Sequence, residues 1–159
     1  MLMKNFPRKR FQDGFTLIEI MIVIAILGLL VAAALPNFLR IKMNSNEKLI
    51  LSDLRVFSNA NESYRAFQSD LTFAPDLSAL LDGDYINETW ANPHNKNGYS
   101  FVYTAGATRL TYSMEADVLQ MNITGTHFYC VDQTGVIVGG SEAGLGTANG
   151  CVGGTPIGT

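Results

Sequence analysis

From Phe15 to Leu35 the side chains are almost all apolar, and the one charge among them is Glu19. Behind Pro36 the pattern changes. Ile50, Leu54, Phe57, Ala60, Tyr64, Phe67 and Leu71 recur at spacings of three or four, while Arg40, Lys42, Lys48, Asp53, Arg55, Glu62 and Arg65 fall mostly off that stripe. Such spacing predicts one long helix, apolar all round in its front half and amphipathic in its back half, stopping near Ser69-Asp70. A short helical turn is predicted in PDLSALLDGDYI, opened by Pro75 or Asp76 and closed by Gly83. The Asn-, Pro- and Gly-rich stretch 88–98 reads as loop. The period then drops to two. GYSFVYT (98–104) places Tyr99, Phe101 and Tyr103 on one face, and RLTYSME (109–115) does the same for Leu110, Tyr112 and Met114. The AGA between them reads as a hairpin connection. THFYCVD (126–132) and VIV (136–138) supply a third strand and a fourth, before a Gly-rich tail. The predicted class is therefore α+β, with a long N-terminal helix packed by its second half on a three- or four-stranded antiparallel sheet.

Phe15 to Leu35 would measure about 30 Å as a helix, enough to cross a bilayer. Charge orients it. Residues 1–14 carry Lys4, Arg8, Lys9 and Arg10 against Asp13 alone, which places the head in the cytoplasm and everything after residue 36 outside it. A secretory signal cleaved near Ala32-Ala33-Ala34 is the competing reading, but the run is long for a signal and Glu19 would be out of place in it. Glu19 needs explaining, because a carboxylate in hydrocarbon costs about 2.5 to 3.5 kcal/mol even on the gentlest insertion scales. It calls for a partner cation. The expected organisation is a cytoplasmic leader (1–14), a membrane-spanning segment (15–36), an amphipathic helix (37–70) and a β domain (71–159).

After residue 65 only Lys96 and Arg109 are basic, against nine acids, which argues against direct nucleic-acid binding by a lone subunit. The only two cysteines, Cys130 and Cys151, lie in the exported part and read as one disulfide. Two buried thiols are the alternative. No catalytic constellation is present: there is no G-x-S-x-G, no phosphate loop and no dinucleotide fingerprint. His127 could act as a base but reads as a structural or exposed strand residue. Asp82, Asp84 and Glu88 could chelate Ca²⁺, although their spacing is not that of a known calcium loop. His94 and His127 do not reach metal-ligand spacing with the cysteines. No cofactor, metal or catalytic residue is expected. Asn61, Asn87 and Asn122 match the short N-x-[ST] pattern, which arises by chance.

KRFQDG followed by FTLIEIMIVIAILGLLVAAALPNF resembles the cleavage and methylation segment of type IV pilins and pseudopilins, strongly over residues 8–40. The resemblance implies that a membrane peptidase cuts between Gly14 and Phe15 and that the new amine of Phe15 is methylated. It implies that Glu19 neutralises this amine and registers neighbouring subunits. Pro36 removes a backbone donor and clashes with the carbonyl four residues earlier, and Gly28 is a second weak point upstream, so the helix is expected to kink or loosen at these two positions; Pro36 also sits where the family often breaks its helix. The implied protein is a structural subunit, not an enzyme. It is stored in the bacterial inner membrane with its C-terminal domain periplasmic, then polymerised into an extracellular filament for adhesion, twitching or DNA uptake. The implied partners are copies of itself, the prepilin peptidase/methyltransferase, inner-membrane assembly machinery and membrane lipid. A type II secretion pseudopilin is the alternative; the major pseudopilins typically hold a calcium loop where this chain has a cysteine pair. A minor adhesive subunit is a further one.

Overall fold

The computed structural model describes residues 14–87, 90 and 95–157. Most of the leader, together with Glu88 and His94, lies outside them. The chain divides into two units between Phe38 and Leu39, and one helix, α1 (Leu17–Phe67), carries residues of both. In the first unit every described residue is exposed, large apolar side chains included. This helix is long and apolar enough to cross a membrane. It runs unbroken as a helix through Gly28 and Pro36.

In the second unit the amphipathic stripe does what its spacing predicts. Ile50, Leu54, Phe57 and Ala60 are buried, and Phe57 is the hub, its ring lying 5.5 Å from Tyr103 and 6.0 Å from Tyr112. Two members of the predicted stripe depart from it. Phe67 is 80 % exposed and Leu71 is exposed too, because α1 ends at Phe67 and Leu71 turns the chain with φ 54°. α2 (Leu77–Asp82) follows. Asp76 caps it by accepting the Ala79 N–H at 2.9 Å, and Gly83 closes it.

One antiparallel sheet packs on α1. Its main strands are β2 (Tyr99–Ala105), β3 (Tyr112–Val118), β4 (Phe128–Asp132) and β5 (Ile137–Gly140), an up-and-down meander in chain order. Two-residue strands β1 (Asn95–Lys96) and β8 (Thr155–Pro156) flank it, giving six strands in the order β1-β2-β3-β4-β5-β8. The Gly-rich tail also folds into a separate hairpin of β6 (Gly146–Thr147) and β7 (Gly150–Cys151), which the sequence pattern reads as loop. Gly150 permits its turn: φ is +121°, and a Cβ there would press on the Asp132 carboxylate.

The β2–β3 connection is longer than AGA. Ala105 pairs with Tyr112, so residues 106–111 form the loop and Leu110 is exposed instead of strand-facing. Tertiary bonds hold it: the Arg109 carbonyl accepts the Phe73 N–H at 2.8 Å, and the Arg109 guanidinium reaches Asp70 at 3.3 Å. Asn61, one of the sequon residues, is fully buried. Its Oδ1 accepts the Ala74 N–H at 3.0 Å and its Nδ2 donates to the Tyr103 hydroxyl at 3.3 Å.

Candidate assembly site

Glu19 sits in the first turn of α1, with Thr16 at the N-cap position ahead of Leu17. Its Oε2 accepts both the Thr16 N–H and the Thr16 hydroxyl at 2.8 Å, while the Glu19 N–H reaches back to Thr16 Oγ1 at 3.3 Å. This is a reciprocal capping box, which satisfies donors that a helix start leaves orphaned. Thr16 is the residue that the sequence reading passes over. The signal was there: T-L-I-E is the Thr-x-x-Glu spacing just before an apolar run. The carboxylate also stands where the helix macrodipole favours a negative charge. Among the described residues no cation meets it, and Oε1 accepts no hydrogen bond. Ahead of it Phe15 is exposed, and a Cβ on Gly14 would meet nothing within 4 Å among the described residues.

The second arrangement is the C-terminal loop, joined to the sheet by the Cys130–Cys151 disulfide across 21 residues. β3 is covered on both faces. Tyr112, Met114 and Ala116 belong to the core under α1, and the alternate residues Ser113 and Glu115 are buried as well. What buries Glu115, only 7 % exposed, is the loop itself: its carboxylate accepts the N–H groups of Gly144, Leu145 (2.7 Å) and Gly146 (3.2 Å). Asp132 acts in parallel, its Oδ2 accepting the Cys151 N–H at 2.9 Å. Two carboxylates and one disulfide thus hold a segment with little apolar content. Burial, and then the negative charge of Glu115 beside it, push the Asp117 carboxyl up to about 6.

His127 is half exposed and ties α1 to the β3–β4 connection. Its Nδ1 lies 2.8 Å from the Thr126 hydroxyl and 3.6 Å from Glu47, and Glu47 accepts both the Thr126 N–H and its hydroxyl. Burial works to raise the Glu47 pKa, but the bonds from Thr126 and the proximity of His127 outweigh it and hold the group below its ordinary value. The Thr126 hydroxyl is committed to Glu47, and the trio reads as a brace between elements. Among the described residues no group of three or more His, Cys, Asp or Glu is placed to hold a metal ion.

The model of the prokaryotic N-terminal methylation motif matches residues 9–35. The chain is 32 % identical over 105 residues to the type II secretion system core protein G of Aeromonas hydrophila, covering 55 % of this chain and 73 % of that one. It is 31 % identical over 130 residues to the type IV major fimbrial protein FimA of Dichelobacter nodosus, covering 82 % of this chain and 71 % of the relative. It is 39 % identical over 77 residues to the type IV major pilin protein PilA of Myxococcus xanthus, where the match covers 44 % of this chain and 34 % of the relative. No solved structure matches.

Proposed function

Because the chain belongs to the family of type IV pilins and type II secretion pseudopilins, we propose that it is a pilin, a structural subunit of a helical surface filament. The single observation that carries this reading is the exposed apolar first half of α1, headed by Gly14-Phe15 and Glu19: a surface of this kind needs lipid or other helices around it. In storage, the leader is cytoplasmic, residues 15–36 span the inner membrane and the β domain is periplasmic. Cleavage after Gly14 by the prepilin peptidase creates an amine on Phe15, which is then methylated. Assembly machinery extracts the subunit, Gly28 and Pro36 let the helix adjust, and the apolar helices bundle in the filament. Head-to-tail contacts between unlike surfaces give an open polymer.

In this scheme Glu19 is the registering charge. A stagger that leaves the Phe15 amine without a carboxylate strands two uncompensated charges in an apolar core, at about 3 to 5 kcal/mol for each broken pair. The bonds from Thr16 hold the carboxylate in place before the amine exists. The Cys130–Cys151 disulfide and the carboxylate-held loop favour a pilin over a secretion pseudopilin, since the major pseudopilins typically hold a calcium loop there. No catalysis is assigned to the chain.

Deletion of the gene, followed by electron microscopy for surface filaments and an assay of exoprotein secretion, tests the proposal. Loss of filaments with normal secretion is expected; lost secretion with normal filaments would select the pseudopilin. Mass spectrometry of the mature protein should show a methylated chain starting at Phe15. A start near Ala34 would mean an ordinary signal peptide and end the filament reading.

A further inference from the structure

The connection between β3 and β4, residues 119–127, exposes three large apolar side chains within five residues: Leu119 at 49 %, Met121 at 43 % and Ile123 at 57 %. It is a built turn. Thr124 N–H bonds to the Gln120 carbonyl at 2.9 Å, Asn122 N–H bonds to the Gly125 carbonyl at 2.9 Å, and Asn122 takes φ 62°. A Cβ on Gly125 would collide with the Tyr99 hydroxyl, so the backbone is pressed against the core at that point. Two side chains of α1 clamp it: Asn46 donates to the Thr124 carbonyl at 2.9 Å, and Glu47 accepts from Thr126. A turn fixed this firmly, yet presenting its apolar side chains outward, is not accounted for by the packing of its own domain.

The α1 residues beside that clamp are basic. Arg40, Lys42 and Lys48 are exposed, and none has an ion-pair partner among the described residues. Glu47, the one acid between them, is engaged by Thr126. Leu39 and Ile41 add exposed apolar surface on the same stretch of helix. By contrast the exposed acids Glu62, Asp70, Asp76, Asp82 and Asp84 lie in the last turns of α1 or follow its far end, and Glu142 is in the C-terminal loop. Exposed apolar side chains mixed with cations are the chemistry of a bilayer surface bearing anionic headgroups, where the apolar groups enter the interface and the cations meet phosphate.

We propose that the β3–β4 turn, through Leu119, Met121 and Ile123 together with Arg40, Lys42 and Lys48, docks this domain onto the anionic bilayer surface in the stored, unpolymerised subunit. The proposal rests on the membrane-stored pilin reading and deepens it. The domain would not swing freely above the membrane, and this contact would have to be given up on extraction.

The test uses the full chain, one copy per nanodisc, with methyl relaxation read by NMR. Discs of mixed phosphatidylcholine and phosphatidylglycerol carry a lipid with a gadolinium-chelate headgroup. Leu119, Met121 and Ile123 methyls should relax several-fold faster than those of Val136 and Val152, exposed apolar residues of the same domain. In discs of phosphatidylcholine alone the difference should shrink. The Lys42→Gln/Lys48→Gln variant should lower the ratio of docked to free domain by roughly fivefold per cation. Equal relaxation of Ile123 and Val152 methyls would overturn the proposal. So would protection of the turn that arises only when two copies share a disc, which would assign it to a neighbouring subunit. Acyl-chain spin labels read Ile22 to Val31 separately: if those methyls are untouched, the membrane reading itself has failed, whatever the turn does.

Discussion

Replacing Glu115 by Ala should release the C-terminal loop, and the cost can be worked from its contacts. One carboxylate accepts three backbone N–H groups, from Gly144, Leu145 and Gly146, at a site almost closed to water. A buried donor left without an acceptor costs about 1 to 3 kcal/mol. Of the three residues Leu145 is buried, Gly146 partly so and Gly144 exposed, so three donors at full cost, about 9 kcal/mol, is a ceiling even if the loop stays in place. The loop can instead lift and hydrate them, so the expected loss is about 3 kcal/mol, within the range seen when one partner of a buried charged contact is removed. Glu115→Gln keeps a carbonyl acceptor but turns an amide donor toward other donors, and should cost about 2 kcal/mol. The assay is urea unfolding of the full chain in mild detergent, followed by the fluorescence of Trp90, which packs 4.8 Å from Phe101 and 6.1 Å from Phe57. A second arm repeats Glu115→Ala in a Cys130→Ser/Cys151→Ser background. There the loop is free to leave, the donors reach water, and the penalty should fall to less than half. A loss under about 1 kcal/mol for Glu115→Ala would refute the accounting. Additivity of the two changes within about 0.5 kcal/mol would refute the claim that carboxylate and disulfide restrain the same segment.

Three further outcomes are expected. Opening the disulfide alone with Cys130→Ser should destabilise the β domain by about 3 kcal/mol, from the chain entropy of a loop of this length, and leave membrane insertion intact; alkylation of two free thiols in the native protein would contradict it. Glu19→Ala should insert and be cleaved but fail to polymerise, whereas Thr16→Val removes the capping hydroxyl, keeps the carboxylate and should still form filaments; abundant ordered filaments from Glu19→Ala would sink the registering role. Asp117 titrates at about 6 in the folded chain, above its ordinary 3.8, so its contribution is fully present below about pH 4 and is lost as pH rises through 6. Asp117→Asn should therefore stabilise the protein at pH 7 by about 1 kcal/mol, discounted for its partial exposure, and the gain should vanish by pH 4. Glu47, held below its ordinary value, runs the opposite way but cancels when variant and parent are compared.

What the sequence determined alone are the features that neighbouring residues decide. Apolar character over Phe15–Leu35 dictates a span, three-and-four spacing dictates the buried stripe from Ile50 to Ala60, and alternation dictates which side of β2 faces α1. Gly14, Phe15 and Glu19 are legible because the motif is contiguous, and even the missed Thr16 was three residues from its partner. The fate of the tail could not be read this way. Glu115 looks like a solvated strand position until residues 144–146, some thirty positions away, fold back over it and supply the donors. Leu110, placed on a strand by alternation, sits in a loop because Arg109 is claimed by Phe73 and Asp70. The same holds for the β3–β4 turn, whose Leu119, Met121 and Ile123 alternate as a strand would, yet are held outward by Asn46 and Glu47. Periodicity reports only which side of an element is apolar. Whether a second layer covers the other side depends on long-range hydrogen bonds and a disulfide, and those exist only once the chain has closed on itself.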